Sequence, residues 1–274
     1  MVTVVQNNTP SPWGNSDYLI LDKMTGKSIA VDPWDMDVLN SISDKYGCVI
    51  SSIFVTHTHR DHIHGTKAYL KQEDLDAPET TIFCHKLSVS QIGRGQVVEG
   101  GDVLLGGKVE VVPTPGHRPE HLSLFIQNGC WVRHDSSIIP IKTSQVDAPI
   151  LIAGDCLFDF GIGNCTNGGD VQELYLTVSN VLMTLPDSTR IMSGHDYRSR
   201  NLNFAKSIEP DHNGINEASG WDQSIPSTIG QQREANPFFR FDSKAVAATI
   251  SRRGLPSDTS KERFSSLRKL RDDW

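Results

Sequence analysis

Three imidazoles and a carboxylate fall within six residues, His57-Thr58-His59-Arg60-Asp61-His62. Neutral imidazole and carboxylate are the donors that zinc and similar divalent ions take. The cluster follows the apolar run Val49 to Val55, which reads as a strand, so the donors leave a sheet on a loop. Along extended backbone, alternate side chains share a side. His57 and His59 can therefore point together at one cation, and a following turn can aim Asp61 and His62 at another. A lone histidine is more often a satisfied core or surface group than a ligand, but four donors in six residues are poorly explained that way.

The same placement recurs along the chain. Val109 to Val112 runs into Pro113-Thr114-Pro115-Gly116-His117, Ile150 to Ala153 into Gly154-Asp155, and Arg190 to Met192 into Ser193-Gly194-His195. Singly, Asp155 reads equally well as a turn cap and His195 as a satisfied histidine. Together they bring the donors to seven, from four strand ends. His85, His121, His134 and His212 remain, and are expected to be structural or surface groups, with His121 the one that could stand behind a ligand.

The elements that must carry these loops follow from pattern. Tyr18–Leu21 and Ser28–Val31 read as paired strands closed by Asp32-Pro33. Val38, Leu39 and Ile42 have helical spacing, predicting a helix from near Asp35 to Lys45. Leu122–Ile126 is a further strand. Val171 to Leu185 is predicted as one long helix, with Leu174, Val178, Val181, Leu182 and Leu185 on its apolar face. Trp131 to Val146 reads as an insertion, and Lys142 to Pro149 as a polar surface loop. Beyond His195 the texture turns helical and is broken by Pro and Gly, with helices expected over Asn201–Ile208, Ser243–Arg253 and Ser260–Asp272. A boundary near Tyr197–Arg200 separates domain 1–198 from domain 199–274.

The chain has 274 residues and a net charge of -7, which argues against a nucleic-acid footprint. No run reaches the roughly 18 apolar residues of a membrane span, and the start carries no secretory pattern. Five scattered cysteines read as reduced thiols, the usage of a cytoplasmic protein. A monomer is expected.

The series HxHxDH, a His after Gly, an Asp and a final His resembles the metallo-β-lactamase superfamily. That resemblance implies an α/β fold, the αββα four-layer sandwich, with a small C-terminal α-helical domain. It also implies that His57, His59 and His117 hold a first metal, that Asp61, His62 and His195 hold a second, and that Asp155 bridges both. Gly194-His195-Asp196-Tyr197, Asn203-Phe204-Ala205-Lys206, Ile208-Glu209-Pro210, Ile225-Pro226-Ser227-Thr228, Asn236-Pro237-Phe238-Phe239-Arg240 and the ending Leu267-Arg268-Lys269-Leu270-Arg271-Asp272 are similar to glyoxalase II. The likeness covers nearly the whole chain.

By that likeness, the activity is hydrolysis of S-(2-hydroxyacyl)glutathione to glutathione and a 2-hydroxy acid through a metal-bridging hydroxide, with a place in methylglyoxal detoxification. The cofactors are two divalent ions, zinc first and iron or manganese as alternatives. His57, His59 and Asp61 form the catalytic set, and Tyr197, Arg268, Arg271 and Asn164 occupy substrate-binding positions, Arg268 and Arg271 facing a glutathione carboxylate. The partner is a glutathione thioester or similar small anionic thioester, with no nucleic acid or membrane. Three features depart from the family pattern: Asn164 and Thr166 stand where a basic and an aromatic residue are usual, and His64-Gly65 replaces Gly-Gly. The same scaffold also carries a glutathione persulfide dioxygenase and hydrolases of other thioesters or lactones.

Overall fold

The computed structural model describes residues 1–9, 11–72, 80–134, 148–222 and 224–274. The chain divides into two compact units, Met1–Pro113 with Glu120–Gly154, and Thr114–Pro119 with Asp155–Trp274.

The first unit is built on a mixed sheet. Its strands are β1 (Val2–Asn8), β2 (Ser16–Asp22), β3 (Lys27–Val31), β4 (Val49–Phe54), β5 (Thr81–Cys84), β6 (Gln96–Val97), β7 (Val103–Leu104), β8 (Val109–Pro113), β9 (Leu122–His134) and β10 (Ala148–Gly154). The order runs β10-β9-β1-β2-β3-β4-β5-β6, with β8 also on β9 and β7 on β8. The expected β2–β3 pair forms, antiparallel, with Tyr18 opposite Val31 and Leu21 opposite Ser28. Every residue of β2 is buried, as befits a central strand covered on both faces. β3, β4, β5 and β6 run parallel, which sends the loop after β4 off one end of the sheet.

Helix α1 (Met36–Lys45) starts where expected. Asp35 caps it, its carboxylate accepting from the amides of Asp37 at 2.9 Å and Val38 at 3.2 Å. Leu39 and Ile42 are buried in a cluster with Leu19, Leu21, Ile53 and Val55, each such side chain contributing about 1.5–3 kcal/mol of burial. This cluster anchors the end of β4 from which the metal-type loop leaves. Two short helices, α2 (His64–Gln72) and α3 (Val89–Ile92), follow in this unit.

β9 extends beyond the predicted Ile126. Its first half pairs with β8 and β10, its second half with β1, where Val4 lies opposite Trp131. Trp131–His134, where the expected insertion begins, is strand, with Trp131 and Val132 buried on opposite faces of β9. Ala148 and Pro149 likewise belong to β10. The remainder of that predicted insertion and loop lies outside the described residues.

The second unit holds a small hairpin, β11 (Leu157–Phe158) and β12 (Gly161–Ile162), strand β13 (Arg190–Ser193), and helices α4 (Val171–Asn180), α5 (Arg198–Ile208), α6 (Asn213–Glu217), α7 (Ile229–Ala235), α8 (Lys244–Arg252) and α9 (Ser260–Asp272). α4 is shorter than predicted. It ends at Asn180, and a 3-10 turn follows at Leu182–Thr184. Pro186 holds Leu185 in extended backbone at φ -66, ψ 150, which bars any helix past Thr184. α9 opens on a capping box in which Thr259 and Glu262 satisfy each other's amides, and its bounds match the sequence expectation.

The compact division falls at Asp155, upstream of the composition change near residue 198. α4 explains the difference. Gln172 donates to Ser265 at 2.9 Å, and the ring of Tyr175 meets Phe241 and Phe264 edge-on, so α4 packs with the C-terminal helices. Composition marks where helices become continuous, whereas contacts mark where they pack. Among the described residues, no helix is long and apolar enough to cross a membrane.

Candidate metal centre

All four predicted donor segments lie just beyond strands: His57 to His62 after β4, His117 after β8, Asp155 after β10 and His195 after β13.

In the first unit the six-residue loop is clamped by two buried carboxylates. Asp32 sits at the end of β3 with φ 46, a left-handed backbone that aspartate tolerates better than most residues. Its carboxylate accepts from the Thr56 amide at 2.8 Å, the Thr56 hydroxyl at 2.5 Å and His62 Nδ1 at 2.8 Å. Because the Thr56 hydroxyl donates to Asp32, His57 Nδ1–H donates to that hydroxyl at 3.0 Å. Both imidazoles thus hold their proton on Nδ1 and turn the Nε2 lone pair to the other side, the arrangement of a metal-ligating histidine. Glu120 grips the loop's middle, accepting from the Thr58 hydroxyl at 2.5 Å and its amide at 3.2 Å. Asn15 Nδ2 donates to Asp61 Oδ2 at 3.0 Å. His121 is buried with its ring stacked on His57 at 5.1 Å.

In the second unit Asp155 Oδ2 lies 3.7 Å from His117 Nε2 and 3.5 Å from His195 Nε2. His117 Nδ1–H donates to the backbone carbonyl of Asn164 at 2.7 Å, which again presents Nε2. Glycines make this seat possible. A Cβ at Gly163 would lie 2.2 Å from the Asp155 carbonyl and 2.9 Å from His117 Cβ, while Gly116, at φ +131, has Leu174 Cα 2.4 Å from the place of its missing Cβ. The His195 ring stacks on Tyr197 at 5.3 Å, and Phe158 meets Tyr197 edge-on.

Donors sharing one tetrahedral cation, each at about 2.0–2.2 Å, stand about 3.3 Å apart. Within the first unit, His57 Nε2 to His59 Nδ1 is 3.1 Å and His62 Nε2 to Asp61 Oδ2 is 3.5 Å. With the 3.5 and 3.7 Å separations around Asp155, both donor sets fit a divalent cation. Asp32, His57 and His62 also cluster, but the Asp32 oxygens are taken by Thr56 and His62, so this carboxylate orients ligands rather than adding one.

The predicted substrate residues are all in the second unit. Tyr197 is 39% exposed. Arg271 is half-buried over the Phe204 ring, donating to the Asn201 amide oxygen at 3.0 and 3.2 Å. Burial, then Arg200 and Arg268, push its guanidinium down to about 10, so it is charged at neutral pH. Arg268 is only 5% exposed. It donates to the carbonyls of Ile162 at 3.0 Å and Gly163 at 3.1 Å and pairs with Asp272 at 2.8 Å. Asn164 acts through its backbone, and its side chain accepts from the Thr166 amide and hydroxyl.

Residue-by-residue reading missed Asp32, Glu120 and Asn15. Asp32 was visible only as a turn residue after a strand; its proximity to His62, thirty positions on, is a product of the parallel β3–β4 pairing. His85 and His212 prove to be local caps, accepting from Leu87 and Ile215 amides. The His134 side chain lies outside the described residues.

Residues 196–274 match the family described as hydroxyacylglutathione hydrolase C-terminus. The hydroxyacylglutathione hydrolase of Nitrosococcus oceani is 32% identical over 280 residues, covering 97% of this chain and 97% of the relative. The cytoplasmic hydroxyacylglutathione hydrolase of Arabidopsis thaliana is 28% identical, covering 97% and 98%. Among solved structures, a Staphylococcus aureus metallo-β-lactamase superposes with TM-score 0.61 at 20% identity, over 98% of this chain and 72% of that one. ETHE1 from Myxococcus xanthus gives 0.60 at 22%, over 94% and 93%. These two share the fold. Fold, donor chemistry and full-length likeness together show that the chain belongs to the hydroxyacylglutathione hydrolase family, on the metallo-β-lactamase fold.

Proposed function

We propose that this protein hydrolyses the thioester of S-(2-hydroxyacyl)glutathione with two divalent cations bound to its seven donors. His57, His59 and His117 would hold one cation and Asp61, His62 and His195 the other, with Asp155 serving both. The observation that carries this reading is the common orientation of His57, His62 and His117, each committing Nδ1 to an oxygen and offering Nε2. Zinc suits these donors best, with iron or manganese as alternatives.

When bound, such cations polarise the thioester carbonyl and lower the pKa of a water toward neutrality. Asp61, oriented in advance by Asn15, accepts a hydrogen bond from the attacking water. The thiol has an ordinary pKa of about 8.5, so it departs as thiolate without a dedicated acid. Tyr197 donates to the glutathione backbone, and Arg271, whose charge faces a neutral amide, receives a carboxylate. Arg268 acts as a positioning residue, fixing Ile162 and Gly163 next to the carbonyl that orients His117. The protein works as a cytoplasmic monomer.

The test is turnover of S-lactoylglutathione beside a simple lactone and glutathione persulfide, with metal content measured on the same sample. The expected result is thioester hydrolysis with about two metal ions per chain. Oxygen uptake with persulfide, or lactone turnover with an inert thioester, overturns the reading.

A further inference from the structure

An aromatic cluster in the first unit abuts the metal-type loop. The Trp34 ring stacks on His64 with centroids 4.1 Å apart and planes 16° apart, and Trp13 meets Trp34 edge-on at 5.6 Å. Trp34 stands two residues beyond Asp32, which orients His62, and His64 stands two residues beyond His62 itself. Hydrogen bonds fix both flanks. Asn15, two residues from Trp13, donates to Asp61 at 3.0 Å, and the Gly65 amide donates to the Pro33 carbonyl at 3.0 Å. Gly65 permits that approach, since a Cβ there would lie 2.2 Å from the Pro33 oxygen.

This apolar surface is incompletely covered. Trp13 is 54% exposed, Trp34 is partly exposed and His64 is exposed. His64 also borders a groove of about 470 Å³ lined by Arg60, Lys67, Lys71 and Gln72 with Ile63 and Ala68, so the groove adds positive charge beside the aromatic faces rather than apolar surface. The clamps that hold the loop, from Asp32 and Glu120, do not involve these rings. Glutathione brings carboxylates and an ammonium, which seek opposite charge, and a lactoyl group has only three carbons. Indole and imidazole faces suit a planar apolar group, about 0.5–1.5 kcal/mol per aromatic pair.

We infer that Trp34, His64 and Trp13 form an acyl-side platform that selects glutathione thioesters with an aromatic acyl group, such as mandeloyl, over lactoyl. The chemistry is unchanged: water cleaves the C–S bond, giving the 2-aryl-2-hydroxy acid and glutathione. The inference rests on the thioesterase reading and names its substrate class.

The experiment compares kcat/KM of the metal-loaded protein for S-mandeloylglutathione, S-lactoylglutathione and S-succinylglutathione, in wild type, Trp34→Ala and Trp34→Phe. The expected wild-type order puts mandeloyl first. Trp34→Ala lowers mandeloyl turnover about tenfold and lactoyl less than about twofold, and Trp34→Phe restores most of the preference. Equal rates for the three acyl groups, a preference for the carboxylate-bearing succinyl group, or a mandeloyl preference that survives Trp34→Ala overturns the platform while leaving the thioesterase reading intact. If none of the three is hydrolysed, the thioesterase reading fails, and the platform with it.

Discussion

The two units present their donors by opposite means. In the first, four donors sit on one six-residue loop, and side-chain carboxylates more than twenty residues away, Asp32 and Glu120, hold it in shape. In the second, three donors come from three separate segments, and backbone seats His117: the Asn164 carbonyl, the bare Cα of Gly163 and Gly116, and a buried arginine bound to the carbonyls of Ile162 and Gly163. A loop of clustered donors can be reshaped by losing one carboxylate. A seat built from backbone depends on packing and tolerates almost no added atom. The same chemistry thus has a side-chain-tuned half and a packing-tuned half.

The sharpest break is Asp155→Ala, which removes the carboxylate that lies near both His117 and His195. With Asp155 the shared ligand, metal content should fall from about two ions per chain and kcat drop by about a thousandfold or more. Unchanged turnover in metal-quantified protein ends the two-cation proposal. Next is Asp32→Asn, which keeps size but removes the charge that fixes the Nδ1–H tautomers of His57, through Thr56, and of His62. Orienting carboxylates of this kind are worth roughly 10- to 100-fold in metal affinity or activity. Metal titration with a competing chelator measures it. An affinity within about twofold of wild type would mean that the loop, not the carboxylate, orients these rings.

The contrast also explains what the sequence revealed. The loop ligands are adjacent in the chain, so type and spacing exposed them. His117, Asp155 and His195 were legible only because each follows an apolar run, a signal of position at a strand end rather than of chemistry. The groups that orient them were hidden for two reasons. Asp32 reaches its partners through the β3–β4 pairing and Glu120 through a long-range contact with Thr58, neither of which one residue's identity discloses. Asn164 contributes a carbonyl that every residue has. Arg268 shows the same limit from the other direction. The glyoxalase II resemblance implied one role for it and Arg271, while the structure buries Arg268 beside Ile162 and Gly163 and leaves Arg271 half-buried. Helix starts with chemical caps, Asp35 and Thr259, were found to within a residue, whereas α4 ends at Asn180 on Val181, a residue with no capping chemistry to mark it.

Arg268→Ala tests the packing-tuned half. It strips donors from two carbonyls and leaves Asp272 without its partner, costing about 2–4 kcal/mol of stability. The slackened 162–164 segment should also loosen His117, so metal affinity and kcat fall together, by about tenfold. Denaturant unfolding, metal titration and steady-state kinetics on the same preparation distinguish this from a direct substrate contact. A rise in KM alone, with stability and metal content unmoved, would return Arg268 to the binding surface.

Arg271→Ala should have the smallest and cleanest effect. Its guanidinium donates to the neutral Asn201 oxygen and lies over Phe204, so no buried carboxylate loses its partner when it goes. Its charge, reinforced by Arg200 and Arg268, is what an anionic carrier would find attractive in a chain of net charge -7. Uniform binding lost from ground and transition states raises KM without changing kcat, here by about five- to tenfold for S-lactoylglutathione. The rise should shrink as salt increases, because the contact is half-exposed and screened. A KM that ignores both the substitution and ionic strength would remove Arg271 from the carrier site and send the search for the glutathione carboxylate's partner to Arg200 or Tyr197.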